Sequence, residues 1–128
     1  MKRLFIIFLM AIVSMGAFAK SPHFSVEEFF DGRYNKEKTV RISISRDNEI
    51  YYRGFQVTGN SALVKKISEV IAKDATLAKR YTEQTGAGGK SILIVFTNNG
   101  ETIYIGLQQD PTEKNAYLFI KGPTNAFK

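Results

Sequence analysis

Residues 39–45, Thr-Val-Arg-Ile-Ser-Ile-Ser, alternate without exception, with Val40, Ile42 and Ile44 on one side and Arg41, Ser43 and Ser45 on the other. A period of two over this length is a strand with one apolar and one polar face, because successive side chains of extended chain point to opposite sides. Such a strand is half-buried: it needs neighbouring strands and a cover on one face. The polar run Arg46-Asp47-Asn48-Glu49 turns the chain, and Ile50 to Thr58 is rich in aromatic and β-branched residues, so the two runs form a hairpin. In the second run Tyr51, Arg53, Phe55 and Val57 oppose Ile50, Tyr52 and Gly54, and Gly54 is expected to mark a bulge.

After Gly59-Asn60-Ser61 the period changes. Leu63, Ile67, Val70, Ile71, Leu77, Ala78 and Tyr81 recur at three- and four-residue spacing, which predicts one long amphipathic helix ended by Gly86-Ala87-Gly88-Gly89. Asp74 falls on its apolar side, where a break or kink is expected with Asp74 as a cap. Before the hairpin, Ser25-Val26-Glu27-Glu28-Phe29-Phe30 predicts a short helix with Ser25 as N-cap and Glu28 three residues on. The last third predicts three strands. Ile92 to Phe96 is apolar on both sides and is placed centrally; Asn98-Asn99-Gly100 leads into Thr102 to Gln108, and Ala116 to Lys121 precedes a short tail.

The expected fold is therefore α+β: a five-stranded, mostly antiparallel sheet in αββαβββ order, with one long helix packed on one face as a two-layer sandwich. In element order it resembles profilin-like and roadblock-like domains, and loosely sensory domains of the PAS type; those folds host unrelated functions. The segment Phe29-Phe30-Asp31-Gly32-Arg33-Tyr34 after a short N-terminal helix resembles small exported Bacteroidetes proteins of a family of unknown function. That resemblance implies export and no particular activity. Physically, the segment reads as aromatics docking a helix, a turn at Asp31-Gly32, and a local ion pair from Arg33.

The first 19 residues have Lys2 and Arg3, an apolar run from Leu4 to Val13, and Ala17-Phe18-Ala19 before Lys20. This is the layout of a cleaved secretory leader, so the expected organisation is a signal peptide at 1–19 and a single domain at 20–128, exported to the periplasm or beyond the cell. No span is expected after cleavage, since no later stretch reaches the ~20 apolar residues a crossing needs. The chain has no cysteine, which excludes a disulfide staple, a thiolate nucleophile and a Cys-ligated zinc.

Catalytic, metal and cofactor motifs fail one by one. The run Gly86-Ala87-Gly88-Gly89-Lys90-Ser91 imitates a phosphate loop, but Gln84 stands where its first glycine belongs and the run precedes a strand. His23 is the only histidine, and Glu27 and Glu28 are adjacent and so diverge on a helix. The net charge of +6 includes the leader's two cations, and Lys65, Lys66, Lys73, Lys79 and Arg80 interleave with Glu69, Asp74 and Glu83, so a solvated face is expected and no nucleic-acid partner. No catalytic residue, metal or cofactor is assigned.

What is left is the sheet face away from the helix. Alternation sends Arg41, Ser43, Tyr104, Gln108 and Tyr117 there, with Arg41 and Tyr104 expected at its centre. Rings among directional polar groups suit an envelope glycan or a peptide. The N-terminal helix or a second copy in a homodimer is the alternative cover for this face. The functional expectation is an exported, non-enzymatic binding or accessory domain; the alternatives are a homo-oligomeric structural component of the envelope, and a small hydrolase or inhibitor.

Overall fold

The structure is a computed structural model that describes residues 24–98 and 100–127; the expected leader and His23 lie outside them. The domain is α+β, with one antiparallel sheet and one main helix. The sheet has six strands rather than five: β1 Val40–Arg46, β2 Ile50–Val57, β3 Arg80–Gly86, β4 Gly89–Asn98, β5 Glu101–Gln109 and β6 Ala116–Pro123, in the order β1-β2-β6-β5-β4-β3. Helix α1 is Ser61–Ala75, and short 3₁₀ helices occupy Ser25–Phe30 and Thr124–Phe127.

The additional strand, β3, comes from sequence expected to continue the helix. Helix α1 stops at Ala75, where the Thr76 hydroxyl donates to the Lys73 carbonyl at 2.7 Å. Leu77, counted above on the apolar face, is 72% exposed. Lys79 and Arg80 therefore do not belong to a basic helix face. Every residue of β3 is exposed, and Gly86 pairs with Gly89 to close a hairpin turn where a helix cap was expected. Unlike the other edge strand, β1, whose Val40 and Ile42 are half-buried, β3 buries neither face and so carries no period-two apolar signal. With β3 at the edge, β4 lies one strand in, and its double-sided apolar run ends with Ile94 buried and Leu93 38% exposed on the far face.

The core lies between the sheet and the helical layer. Ile94, Ile105, Leu107, Leu118, Ile120 and Phe55 meet Val64, Ile67 and Ile71 of α1, and Val26 and Phe29 of the first 3₁₀ helix, in one buried cluster. That first helix packs on the same side as α1, so it does not cover the opposite face. Its N-terminus differs from the expected cap. Phe24, not Ser25, is the N-cap, and its N–H donates to Glu27 Oε2 at 3.0 Å. The next two donors, Ser25 N–H and Val26 N–H, go to the Asp74 carboxylate at 2.8 and 3.0 Å. The helical run does break beside Asp74, as expected, but no second helical piece follows for it to cap; Asp74 sits in the last turn of α1, 2% exposed, and caps a helix 48 residues earlier. Burying a carboxylate is tolerable here because two orphan backbone donors converge on it.

Arg53 is the second buried charge. It is 6% exposed, paired through Nη1 with Glu27 Oε1 at 3.0 Å, and its guanidinium lies 4.4 Å from the Tyr51 ring centroid and 5.3 Å from that of Phe127. The C-terminal segment is thereby core rather than tail: Phe127 is 7% exposed, and the Thr124 hydroxyl donates to the Asp47 carbonyl at 2.6 Å. In the Phe29–Tyr34 segment, Phe29 is fully buried, Tyr34 stacks on it at 5.6 Å, and Arg33 pairs with Asp31 at 2.8 Å.

Three carboxylates on the surface are held below their usual range. Asp47 accepts from the Ile50 and Glu49 N–H groups at 2.7 Å each, Asp31 is lowered chiefly by its hydrogen bond with Arg33, and Asp110 by that with Asn115. A carboxyl whose folded value is depressed binds its proton more readily in the unfolded chain, so its contribution is present above the unfolded value and lost as pH falls through the folded one. The melting temperature is expected to hold from neutrality to about pH 4 and to drop below it. A scan of melting temperature against pH that stayed flat to about pH 2 would contradict this.

Candidate functional site

The face opposite α1 is built from alternate residues of all six strands, and register decides which of them meet. Arg41 pairs with Gln56, Gln56 with Tyr117, Tyr117 with Gln108, Gln108 with Ser91, and Ser91 with Gln84. These six side chains form one row across the whole sheet, because directly paired residues share a face. The next row is Ser43, Gly54, Phe119, Gly106, Leu93 and Thr82, and the one beyond it contains Tyr52, Lys121, Tyr104 and Val95.

Two glycines shape the middle row. A side chain at Gly106 would collide with the Phe119 ring, and one at Gly54 with the Tyr117 hydroxyl. The rings therefore lie down over the backbone of neighbouring strands instead of standing up from it. Gly54 marks this close approach rather than the expected bulge, since β2 runs in unbroken register with both β1 and β6. Phe119 is flanked by Tyr52, at 6.4 Å with a 17° interplanar angle, and by Tyr117, also at 6.4 Å.

Beside these rings, Gln56, Gln84, Ser91, Gln108 and Tyr117 line an open groove of about 630 Å³, walled by the β3–β4 turn and the β5–β6 loop. A second depression shares Gln84, Ser91, Gln108 and Tyr117 and continues over Leu93 and Phe119. The Gln108 amide donates to Ser91 Oγ at 3.2 Å, which orients it within the row. Asp110, the one carboxylate of the groove lining among the described residues, is engaged by Asn115 Nδ2 at 2.6 Å and by the Thr112 hydroxyl at 2.9 Å, which hold the loop. The lining is thus dominated by neutral amides and hydroxyls, each able to donate and accept.

Of the residues expected on this face, Gln108 and Tyr117 come together in the groove. Arg41 belongs to the same row but sits on edge strand β1, beyond Gln56. Ser43 is also on β1, and Tyr104, 41% exposed, lies two rows away beside Lys121. Arg41 and Tyr104 do not share a centre, because two strands, β2 and β6, separate theirs. Gln56, Ser91 and Gln84 were missed. The parity of the 50–57 run already carried Gln56, whereas Gln84 was hidden within the expected helix.

Among the described residues no group of three or more His, Cys, Asp or Glu side chains is arranged to hold a metal ion, and no helix is long and apolar enough to cross a membrane. No family model, curated protein or solved structure matches the chain.

Proposed function

We propose that the chain is an exported, non-enzymatic binding domain whose ligand is a neutral glycan laid along the Gln56–Tyr117–Gln108–Ser91–Gln84 row. The observation that carries this reading is the row itself: planar amides and hydroxyls at strand spacing beside rings that lie flat. Sugar hydroxyls need paired donors and acceptors, and the C–H faces of pyranose rings need flat apolar area. The groove and the adjoining depression over Leu93 and Phe119 supply both. The charges in the groove lining, Lys90 paired with Glu83 and Asp110 held by its own loop, offset each other, which favours a neutral glycan over an acidic polymer.

The test is an array of envelope glycans probed with the protein, followed by titration calorimetry on the best binder. Gln108→Ala and Gln56→Ala are expected to weaken binding at least tenfold each, about 1.4 kcal/mol or more, while leaving stability nearly unchanged because both side chains are exposed. Lys66→Ala, on α1 and paired with Glu28 at 3.6 Å, is expected to leave affinity unchanged. Loss of binding in Lys66→Ala but not in the glutamine variants would refute the assignment.

A further inference from the structure

The two sheet edges are defended differently. On β3, Glu83 stands on the side facing α1 and pairs with Lys90 at 3.8 Å, so an approaching strand meets charge on that face. On β1 there is no proline, glycine or bulge, all seven residues keep register with β2, and the side facing α1 offers Val40, Ile42 and Ile44. Ile44 is 58% exposed even though it points to the core side, because β1 is the outermost strand.

The backbone pattern says which groups are free to pair. Thr58 N–H donates to the Thr39 carbonyl and Asp47 N–H to that of Ile50, which fixes the odd-numbered residues of this strand as those bonded to β2. The N–H and C=O groups of Ile42 and Ile44 therefore point outward. We infer that this edge pairs with the same edge of a second copy, antiparallel about a two-fold axis at Ser43, to give one continuous sheet across a homodimer.

The sequence of β1 is complementary to itself in that register. Ile42 of one copy exchanges both backbone hydrogen bonds with Ile44 of the other, and the side chains of the two isoleucines meet on the helix side. Arg41 falls opposite Ser45 and Arg46 opposite Val40, so no arginine faces an arginine. Shifting by one pairing step in either direction brings identical residues together at Ile42 or Ile44 and leaves one end of the strand unpaired. The centred register is the one that sets every residue of β1 opposite a partner; at its ends the Val40 N–H already donates to the Glu37 carbonyl at 3.2 Å, so the Ile42–Ile44 bonds carry the pairing.

Ser43 meets Ser43 of the second copy as a non-hydrogen-bonded pair, the closest kind of cross-strand neighbour, with Cα atoms about 4.5 Å apart. The chain has no cysteine, so an introduced one reports without interference. Ser43→Cys is expected to form a disulfide-linked dimer under mild oxidation of the full-length protein, at least tenfold faster than Ser45→Cys. The unsubstituted protein is expected to sediment at twice the monomer mass at high micromolar concentration. Ile44→Pro removes an outward N–H and should raise the dimer dissociation constant at least tenfold; Ile44→Lys, which spares the backbone, should do the same. A monomer at all concentrations, equal cross-linking of the two cysteine variants, a dimer that survives both Ile44 variants, or an edge that instead captures an acidic peptide would overturn the inference.

Discussion

Ile94→Ala is expected to lower the free energy of unfolding by about 2 to 5 kcal/mol, and Ile67→Ala by a similar amount. Both side chains are fully buried, Ile94 on β4 and Ile67 on the facing side of α1, and they belong to the one cluster that joins the sheet to the helices. Truncation removes the transfer free energy of the deleted methyl groups and leaves a cavity that close-packed neighbours fill only in part. Guanidinium chloride denaturation followed by circular dichroism reads the change directly, and a loss within ~0.5 kcal/mol would mean that these residues do not form the main contact.

Asp74→Ala is expected to cost about 2 to 4 kcal/mol, a large effect for a residue in the last turn of a helix. Its carboxylate is the acceptor for both Ser25 N–H and Val26 N–H, and Val26 is fully buried, so water cannot replace it there. Removing it leaves donors unpaired in an apolar setting, and the first 3₁₀ helix loses its anchor to α1. Asp74→Asn retains one carbonyl oxygen and should lose less. Hydrogen exchange gives an independent reading, since the Ser25 and Val26 amides should lose protection in the alanine variant while the β4 and β5 amides keep theirs relative to global stability. Equal protection at Val26 in both variants would contradict this role.

The parts of the fold that were legible are those where one face is buried. Val40 and Ile42 against Arg41 and Ser43, or Ile103, Ile105 and Leu107 against Tyr104 and Gln108, show their sides through alternation alone. Strand β3 was not legible because all of it is exposed, while Leu77, Ala78 and Tyr81 happen to continue the helical spacing. Asp74 shows the limit of local reasoning about caps: its partners are 48 and 49 residues away, and only tertiary packing brings them within reach. The candidate groove was half visible for the same reason. Parity sends Gln108 and Tyr117 to the open face, but which residues sit beside them depends on the strand order β2-β6-β5-β4-β3, to which no short-range pattern is sensitive.

The central claim, that the polar row on the open face is where the ligand lies, is tested most directly by a backbone-amide NMR titration of the protein with a neutral oligosaccharide drawn from the array. The largest shifts are expected at Gln56, Gln84, Ser91, Gln108 and Tyr117, with smaller ones at Leu93 and Phe119 and none along Ser61–Ala75. Shifts that cluster on α1, or on the groove between α1 and β3 lined by Ile71, Ala75 and Tyr81, would contradict the account.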